Sequence, residues 1–271
     1  MRNEAVNLKG LLLLVLTFMT LLFVGPFITT APTLDKGLAI HPDFLPGMVP
    51  GVQPPSPSFY ELTLARVNLV GTIAYDSYGV HEWQLIRNWI LTAHLARFRA
   101  FVDLWGDEHD PGSVVRDVQR AANAGADVIF LDEILSTYEM NQTTLQAIIN
   151  AGRSLNPNLQ YYMNEWDTMY IRRAYEWTID YPYVGVAEDN YNNMSMIDLN
   201  IQLGSQYGKA PAVWLIFARG SQDFDCWLHL DQWTEYVQQR GISAFFWFID
   251  PAGTWKANWP SVVAFDPESY V

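Results

Sequence analysis

Apolar segments of five to eight residues alternate with amphipathic segments along most of the chain after residue 58. The apolar segments predict buried β-strands, and the amphipathic segments between them predict helices. The predicted strands are Asn68–Tyr75, Arg97–Val102, Ala126–Leu131, Leu159–Met163, Tyr183–Ala187, Ala212–Ala218 and Ile242–Ile249. Strands separated by a single helix run parallel with right-handed crossovers, so the pattern indicates either a doubly wound sheet or a barrel.

The residues that follow the predicted strands favour the barrel. Each strand is followed by a charged residue or by the pair Asn164-Glu165, and in a barrel all of these ends meet at one face. No glycine-rich phosphate loop follows the first strand, which argues against a dinucleotide-binding sheet. We therefore predict an α/β fold, a (β/α)8 TIM-like barrel, with an open α/β sheet as the alternative.

The eighth strand of this barrel has no clear pattern. We expect it from Glu61–Ala65 or from a strand between Phe44 and Val52. An irregular first strand or an incomplete barrel is the alternative.

The first 58 residues differ from the alternating pattern. An apolar run from Leu11 to Val24 follows Arg2 and Lys9, and its length lies between those of a signal peptide and a membrane-spanning helix. We therefore expect residues 1–31 to form an apolar signal peptide or signal-anchor helix, with a buried core helix as the alternative.

Because positive charges precede the apolar run, the rest of the chain is expected outside the membrane. The predicted location is extracellular or cell-surface, either secreted or membrane-anchored, with the membrane as a partner if the segment is uncleaved. Seven prolines between positions 32 and 57 predict a Pro-rich tether or strap over residues 32–58. A catalytic barrel is expected over residues 59–271.

The composition of the chain argues against nucleic acid as a partner and excludes an intramolecular disulfide. The net charge of −13 and the lack of clustered Lys and Arg argue against nucleic acid, which requires basic residues along its phosphate backbone. A neutral or cationic ligand fits this charge better. Cys226 is the only cysteine, so no intramolecular disulfide can form.

Carboxylates follow three successive predicted strands. Asp132 and Glu133 come first, Glu165 follows the next strand, and Glu188 and Asp189 follow the third. Repulsion and partial burial can separate the pKa values of such neighbours, which is what a proton donor and a nucleophile or base require. Glycoside hydrolysis uses two carboxylates and no cofactor. The structural alternative is a helix N-cap with a solvated acid beside it.

Aromatic residues accompany these acids at the predicted strand ends, where rings can stack on sugars while polar groups bind hydroxyls. Ordinary core packing is the alternative for any single tryptophan. The predicted substrate-binding residues are Asp76, Tyr78, Asp103, Trp105, Glu165, Trp166, Asp189, Tyr191, Trp247 and Asp250.

Competing kinds of catalytic site have weak support in the sequence. The five histidines include neither His-x-His nor His-Glu-x-x-His, so no metal site is predicted, and a cluster of His81 and His109 with carboxylates is the alternative. A Gly-x-Ser-x-Gly nucleophile turn is absent as well.

Three motifs carry a family resemblance: VIFLDE at 128–133, Glu188 two strands later, and FFWFID at 245–250. Over residues 68–259 the chain resembles the spherulin-4-like and endo-α-1,4-polygalactosaminidase-like glycoside hydrolases. The resemblance implies a (β/α)8 enzyme that cuts galactosamine-containing polysaccharides, with Asp132, Glu133 and Glu188 as catalytic acids.

The expected mechanism assigns a role to each acid. Glu133 ends the most apolar strand and is the expected proton donor, Glu188 is the nucleophile or base, and Asp132 holds the donor in place. The side chains of Glu133 and Glu188 are expected to converge over the barrel mouth. The predicted function is therefore hydrolysis of a polysaccharide, with aminosugar polymers among the candidates. The alternative is a non-catalytic extracellular barrel that binds glycans or surface proteins.

Overall fold

The chain folds into a closed barrel of eight parallel strands, in the order β1 to β8. The computed structural model describes residues 34–40, 57–74, 80–106, 111–189, 194–217, 230–248 and 259–266. The strands are β1 Lys36–Ile40, β2 Leu69–Ala74, β3 Arg99–Trp105, β4 Val128–Asp132, β5 Gln160–Asn164, β6 Val184–Asp189, β7 Pro211–Phe217 and β8 Ser243–Phe248. The predicted TIM-like barrel is confirmed.

Helices connect the strands and cover the outside of the barrel. They are α1 Phe59–Leu64, α2 Val80–Leu95, α3 Pro111–Ala124, α4 Ile134–Thr137, α5 Gln142–Arg153, α6 Thr168–Trp177, α7 Met194–Tyr207 and α8 Leu230–Gln238, followed by a short helix over residues 259–264. The helix α4 is a single turn directly after β4. It therefore lies at the carboxyl ends of the strands, where TIM barrels carry their active sites.

The first strand lies where the sequence predicted a tether. Neither Glu61–Ala65 nor the segment between Phe44 and Val52 supplies it: most of the former belongs to α1, and the latter lies outside the described residues. The strand is Lys36–Ile40, which pairs with both β2 and β8 and closes the barrel. Gly37 permits this closure, because a Cβ there would lie 2.2 Å from the Phe245 ring.

Two apolar layers hold the barrel together. One lies between the strands and the helices, and the other fills the barrel interior. The interior is crowded with aromatic rings, and the Phe130 and Phe245 centroids are 4.6 Å apart. This aromatic cluster consists of Phe101, Phe130, Tyr162, Trp214 and Phe245. Because it closes the middle of the barrel, polar chemistry is confined to the two ends.

The amino-terminal end of the barrel carries a structural ion pair. The Arg99 guanidinium lies 2.7 Å from Asp35 Oδ1 and donates to Gln160 Oε1 at 2.5 Å. The Tyr162 hydroxyl donates to the other Asp35 oxygen at 3.3 Å. Burial raises the pKa of Asp35, while the charge of Arg99 opposes this change. Arg99 is thus paired at the end of the barrel opposite to the predicted catalytic acids.

The predicted apolar helix within residues 1–31 lies outside the described residues, and the compact unit that contains the barrel begins at Leu34. Among the helices that the structure describes, none is both long and apolar enough to cross a membrane.

Candidate active site

The register of the strands groups the inward-facing residues into layers of four from alternate strands, as in other TIM barrels. The layer at the top of the aromatic cluster consists of Ala39, Asp103, Asn164 and Trp214. The layer nearest the mouth occupies the positions of Ile73, Asp132, Asp189 and Trp247. Polar residues therefore begin in the top layer of the aromatic cluster, on one side of the barrel.

Asp132 faces the barrel interior at the mouth. It continues the alternation of Val128 and Phe130, both of which belong to the interior cluster. Asn164 on the neighbouring strand donates its side-chain N–H to Asp132 Oδ1 at 2.5 Å. This contact orients the carboxylate and stabilises its negative charge. Asn164 was not predicted as a site residue, although its position beside Asp132 follows from the alternation of β5.

Glu133 interrupts the alternation of β4. Its backbone has φ 53° and ψ 20°, a left-handed conformation that is unfavourable for residues with a side chain. Its carboxylate is half-buried beside Trp105, whose indole N–H lies 3.4 Å from Glu133 Oε2. Trp105 alternates with Phe101 and Asp103 along β3, so its side chain also faces the barrel interior. The Glu133 carboxylate beside it is therefore directed toward the mouth as well.

The turn that contains Glu133 is fixed by short contacts on several sides. The Glu133 N–H donates to Asn164 O at 2.8 Å, and the Glu133 carbonyl accepts from Thr137 N at 3.0 Å. On the β3 side, a Cβ at Gly106 would lie 2.7 Å from that carbonyl oxygen, so only glycine fits. The Tyr138 hydroxyl donates to Gly106 O and joins the two loops.

Glu165 lies beside this turn and is fully buried. Its Oε1 accepts the Leu135 backbone N–H at 2.8 Å, within the first turn of α4. Burial raises the pKa of Glu165 to about 8, hydrogen bonds from Leu135 and Ser136 oppose this shift, and the charge of Glu133 adds to it. This position differs from the predicted substrate-binding role, because the Glu165 side chain is fully buried and bonds to the backbone of α4.

Glu188 also faces outward. Its backbone pairs with Val213, and both Val213 and the preceding Val186 pack between strands and helices, whereas Ala187 belongs to the interior cluster. Glu188 is almost completely buried on that outward face. This placement differs from the predicted convergence of Glu133 and Glu188 over the mouth. Asp189 is the last residue of β6, and its backbone pairs with Trp214.

Aromatic residues lie near the acids at the carboxyl end of the barrel. Trp247 packs against the top of the interior cluster, and Trp166, in the loop after β5, is 52% exposed. Trp214 lies in the polar layer with Asp103 and Asn164. In the part of the chain that the structure describes, the indole N–H groups of Trp214 and Trp247 have no hydrogen-bond acceptor. Both nitrogen atoms are buried, so neither is exposed to a ligand in this structure.

Other predicted site residues fall outside the structure's described parts. These are Asp76, Tyr78, Tyr191 and Asp250, together with the side chain of Asp189. His109 and the side chain of His81, the two histidines of the alternative metal cluster, also lie outside them. Across the seven described ranges, no group of three or more His, Cys, Asp or Glu residues could hold a metal ion.

No known protein-family model and no curated protein sequence matches the chain. Solved structures with the same fold include a GH18 chitinase from Pseudoalteromonas aurantia, with a TM-score of 0.52 and 10% identity over 84% of this chain and all of the other. Fungal β-1,4-galactanases align with a TM-score of 0.51 and 15% identity over 84% of this chain and 93% of theirs.

Oxaloacetate acetylhydrolase, which is not a glycosidase, aligns equally well. Its TM-score is 0.52 at 8% identity, over 84% of this chain and 78% of the other. At these identities the likeness establishes the barrel fold alone. The fold is shared by glycoside hydrolases and by enzymes of other classes, so the function has to be argued from the site.

Proposed function

We propose that the protein is a glycoside hydrolase that cleaves a polysaccharide at the carboxyl-terminal mouth of its barrel. The observation that carries this proposal is the pair Asp132 and Glu133, which both reach the mouth because the left-handed turn at Glu133 breaks the strand alternation. Two carboxylates and no cofactor are the equipment of glycosidic bond cleavage. The aromatic side chains beside them suit the apolar faces of sugar rings.

Glu133 is the proposed proton donor. Its carboxyl is half-buried against Trp105 at the mouth, where it can deliver a proton to the leaving oxygen. Asp132 is the proposed second carboxylate, because the hydrogen bond from Asn164 stabilises its charge. A charged carboxylate at this position would stabilise the oxocarbenium-like transition state, or attack the sugar directly.

Glu188 is proposed to support the site rather than to touch the substrate. Its outward direction on β6 separates it from the mouth, and its burial suits a residue that positions neighbouring groups. This assignment revises the nucleophile role that the sequence suggested.

The proposed substrate is a polysaccharide that contains aminosugars. The family resemblance at VIFLDE and FFWFID supports this class, and the net charge of −13 favours a cationic, partly deacetylated chain. The exposed side chain of Trp166, in the loop after β5, offers a stacking surface for a sugar ring.

Export of the protein is part of the proposal, with the barrel outside the cell and secreted or held at the membrane by its first 31 residues. The support is the apolar run after Arg2 and Lys9. Sequencing the amino terminus of native protein distinguishes an uncleaved anchor from a removed signal peptide. Recovery of full-length protein from the cytosol contradicts both.

The test is a screen of the purified protein against aminosugar and neutral polysaccharides, with reducing ends as the readout. Asp132→Asn and Glu133→Gln are each expected to lower kcat by about 10²–10⁴-fold, since each removes a group that acts in the transition state. Glu188→Gln is expected to lower kcat by a smaller factor. Asn141→Ala, which removes an exposed helix cap and none of the described contacts of the acids, is the matched control.

Two results would refute the proposal in different ways. If Glu133→Gln turns over the substrate as fast as the wild type, Glu133 is not the proton donor. Tight binding of a polysaccharide without any cleavage by the wild type supports the alternative, a barrel that only binds glycans.

A further inference from the structure

Glu165 connects two parts of the site that are separate in sequence. It follows β5, yet its carboxyl oxygen accepts the Leu135 backbone N–H at 2.8 Å in the turn after β4. Leu135 is two residues beyond Glu133. The two loops are joined a second time by the bond from Glu133 N to Asn164 O. The residues Asn164 and Glu165 therefore hold the backbone on both sides of the left-handed Glu133.

The turn at Glu133 needs such support because its conformation is unfavourable. A residue with a side chain in the left-handed region costs about 1–2 kcal/mol relative to the right-handed region. Such strain persists only when surrounding contacts fix the backbone. Ser136 Oγ and Thr137 N both donate to the Glu133 carbonyl, but these contacts lie within the turn itself. The bond from Leu135 to Glu165 anchors the turn to a different strand.

We propose that Glu165 is a positioning residue, which holds the left-handed turn at Glu133 and thereby keeps the Glu133 carboxyl against Trp105 at the barrel mouth. The proposal rests on the function proposed above for Glu133. Glu165 does not contact the substrate in this proposal, because its side chain is fully buried and its Oε1 bonds to the backbone of α4. It acts through the backbone of α4.

The charge state of Glu165 fits this role. Its pKa of about 8, raised mainly by burial, leaves the carboxyl largely neutral at pH 7. Among the described residues, Glu133 is the charged group that acts on it, and the Leu135 and Ser136 hydrogen bonds favour its ionised form. Glutamine is therefore a close replacement, because its amide oxygen can still accept from Leu135.

The experiment compares Glu165→Gln and Glu165→Leu in the full-length protein at pH 6, by steady-state kinetics and by amide hydrogen exchange over residues 133–140. Glu165→Leu removes the acceptor, so exchange in this segment is expected to accelerate. Its kcat is expected to fall by about 10²-fold with KM little changed, as for a misplaced catalytic group. Glu165→Gln is expected to keep kcat within a few fold of wild type and to show wild-type exchange.

Asn141→Ala controls for a general loss of stability, because it removes the cap of α5 without touching Glu133 or Leu135. Its kcat is expected to match wild type, and a fall equal to that of Glu165→Leu overturns the positioning role. A loss in Glu165→Gln as large as that in Glu133→Gln also overturns it, since Glu165 would then take part in the reaction.

The exchange measurement separates this proposal from the proposed function. If the wild type hydrolyses no polysaccharide, the function fails. Faster exchange confined to residues 133–140 in Glu165→Leu still supports Glu165 as the support of the turn. Unchanged exchange in that variant overturns the positioning role whatever the activity.

Discussion

The raised pKa of Glu165 predicts a specific dependence of stability on pH. The pKa rises from an ordinary value of 4.5 to about 8 in the folded chain. Between these values the folded protein binds more protons than the unfolded chain, so this group's contribution is fully present below pH 4.5 and is lost as pH rises to 8. At about 1.4 kcal/mol for each pKa unit, the loss is on the order of 5 kcal/mol.

Glu165→Gln removes the titrating proton and keeps the hydrogen-bond acceptor, so it isolates this contribution. Urea unfolding at pH 5, 6, 7, 8 and 9 gives the free energy of unfolding of wild type and variant. The free energy of unfolding of the variant, relative to that of the wild type, is expected to rise by several kcal/mol between pH 5 and pH 8 and then to stay constant. Glu235→Gln, at an exposed position on α8, is expected to give a curve parallel to wild type.

Parallel curves for wild type and Glu165→Gln would refute the reasoning. They would mean that water or a cation reaches the carboxyl and that burial does not raise its pKa. Parallel curves would also result if the amides of Leu135 and Ser136 kept Glu165 ionised, because its titration would then fall below the measured pH range.

Two further predictions concern the first strand and the strained turn. Removal of residues 1–57 deletes β1 and is expected to abolish cooperative thermal unfolding. Removal of residues 1–33 keeps β1 and is expected to preserve cooperative unfolding. A cooperative transition in the chain that lacks residues 1–57 would contradict the closure of the barrel by Lys36–Ile40. Glu133→Gly is expected to be about 1 kcal/mol more stable than Glu133→Ala in urea, because glycine adopts the left-handed conformation freely, while both variants lose activity. Equal stability of the two would mean that the turn at Glu133 carries no strain.

The strand pattern was predictable because strands buried on both faces are nearly continuous apolar runs. All seven predicted strands are present, with ends shifted by at most three residues. Lys36–Ile40 was missed because five residues among prolines give no alternating pattern. Its identity as a strand depends on Phe245, which packs against Gly37 from the far end of the sequence. Such long-range complementarity cannot be recognised from a short local segment.

The sequence predicted which residues lie at the site, but not the direction in which each side chain points. Asp132, Glu133 and Trp105 were predicted at the mouth, and the structure brings them together. The left-handed conformation of Glu133 was not predictable, because glutamate has no local preference for it. It results from contacts with Gly106, Asn164 and Glu165, which lie at or directly after the ends of β3 and β5.

The two acidic pairs show how the end of a strand decides which acids reach the mouth. β4 stops at Asp132, so Glu133 is free of the strand alternation and its turn directs it to the same side as Asp132. β6 continues through Asp189, so alternation is retained and Glu188 must face the helices. A shift of one residue in where a strand ends therefore changes which face a carboxylate occupies. The catalytic potential of an acidic pair at a barrel rim depends on this boundary as much as on the acids themselves.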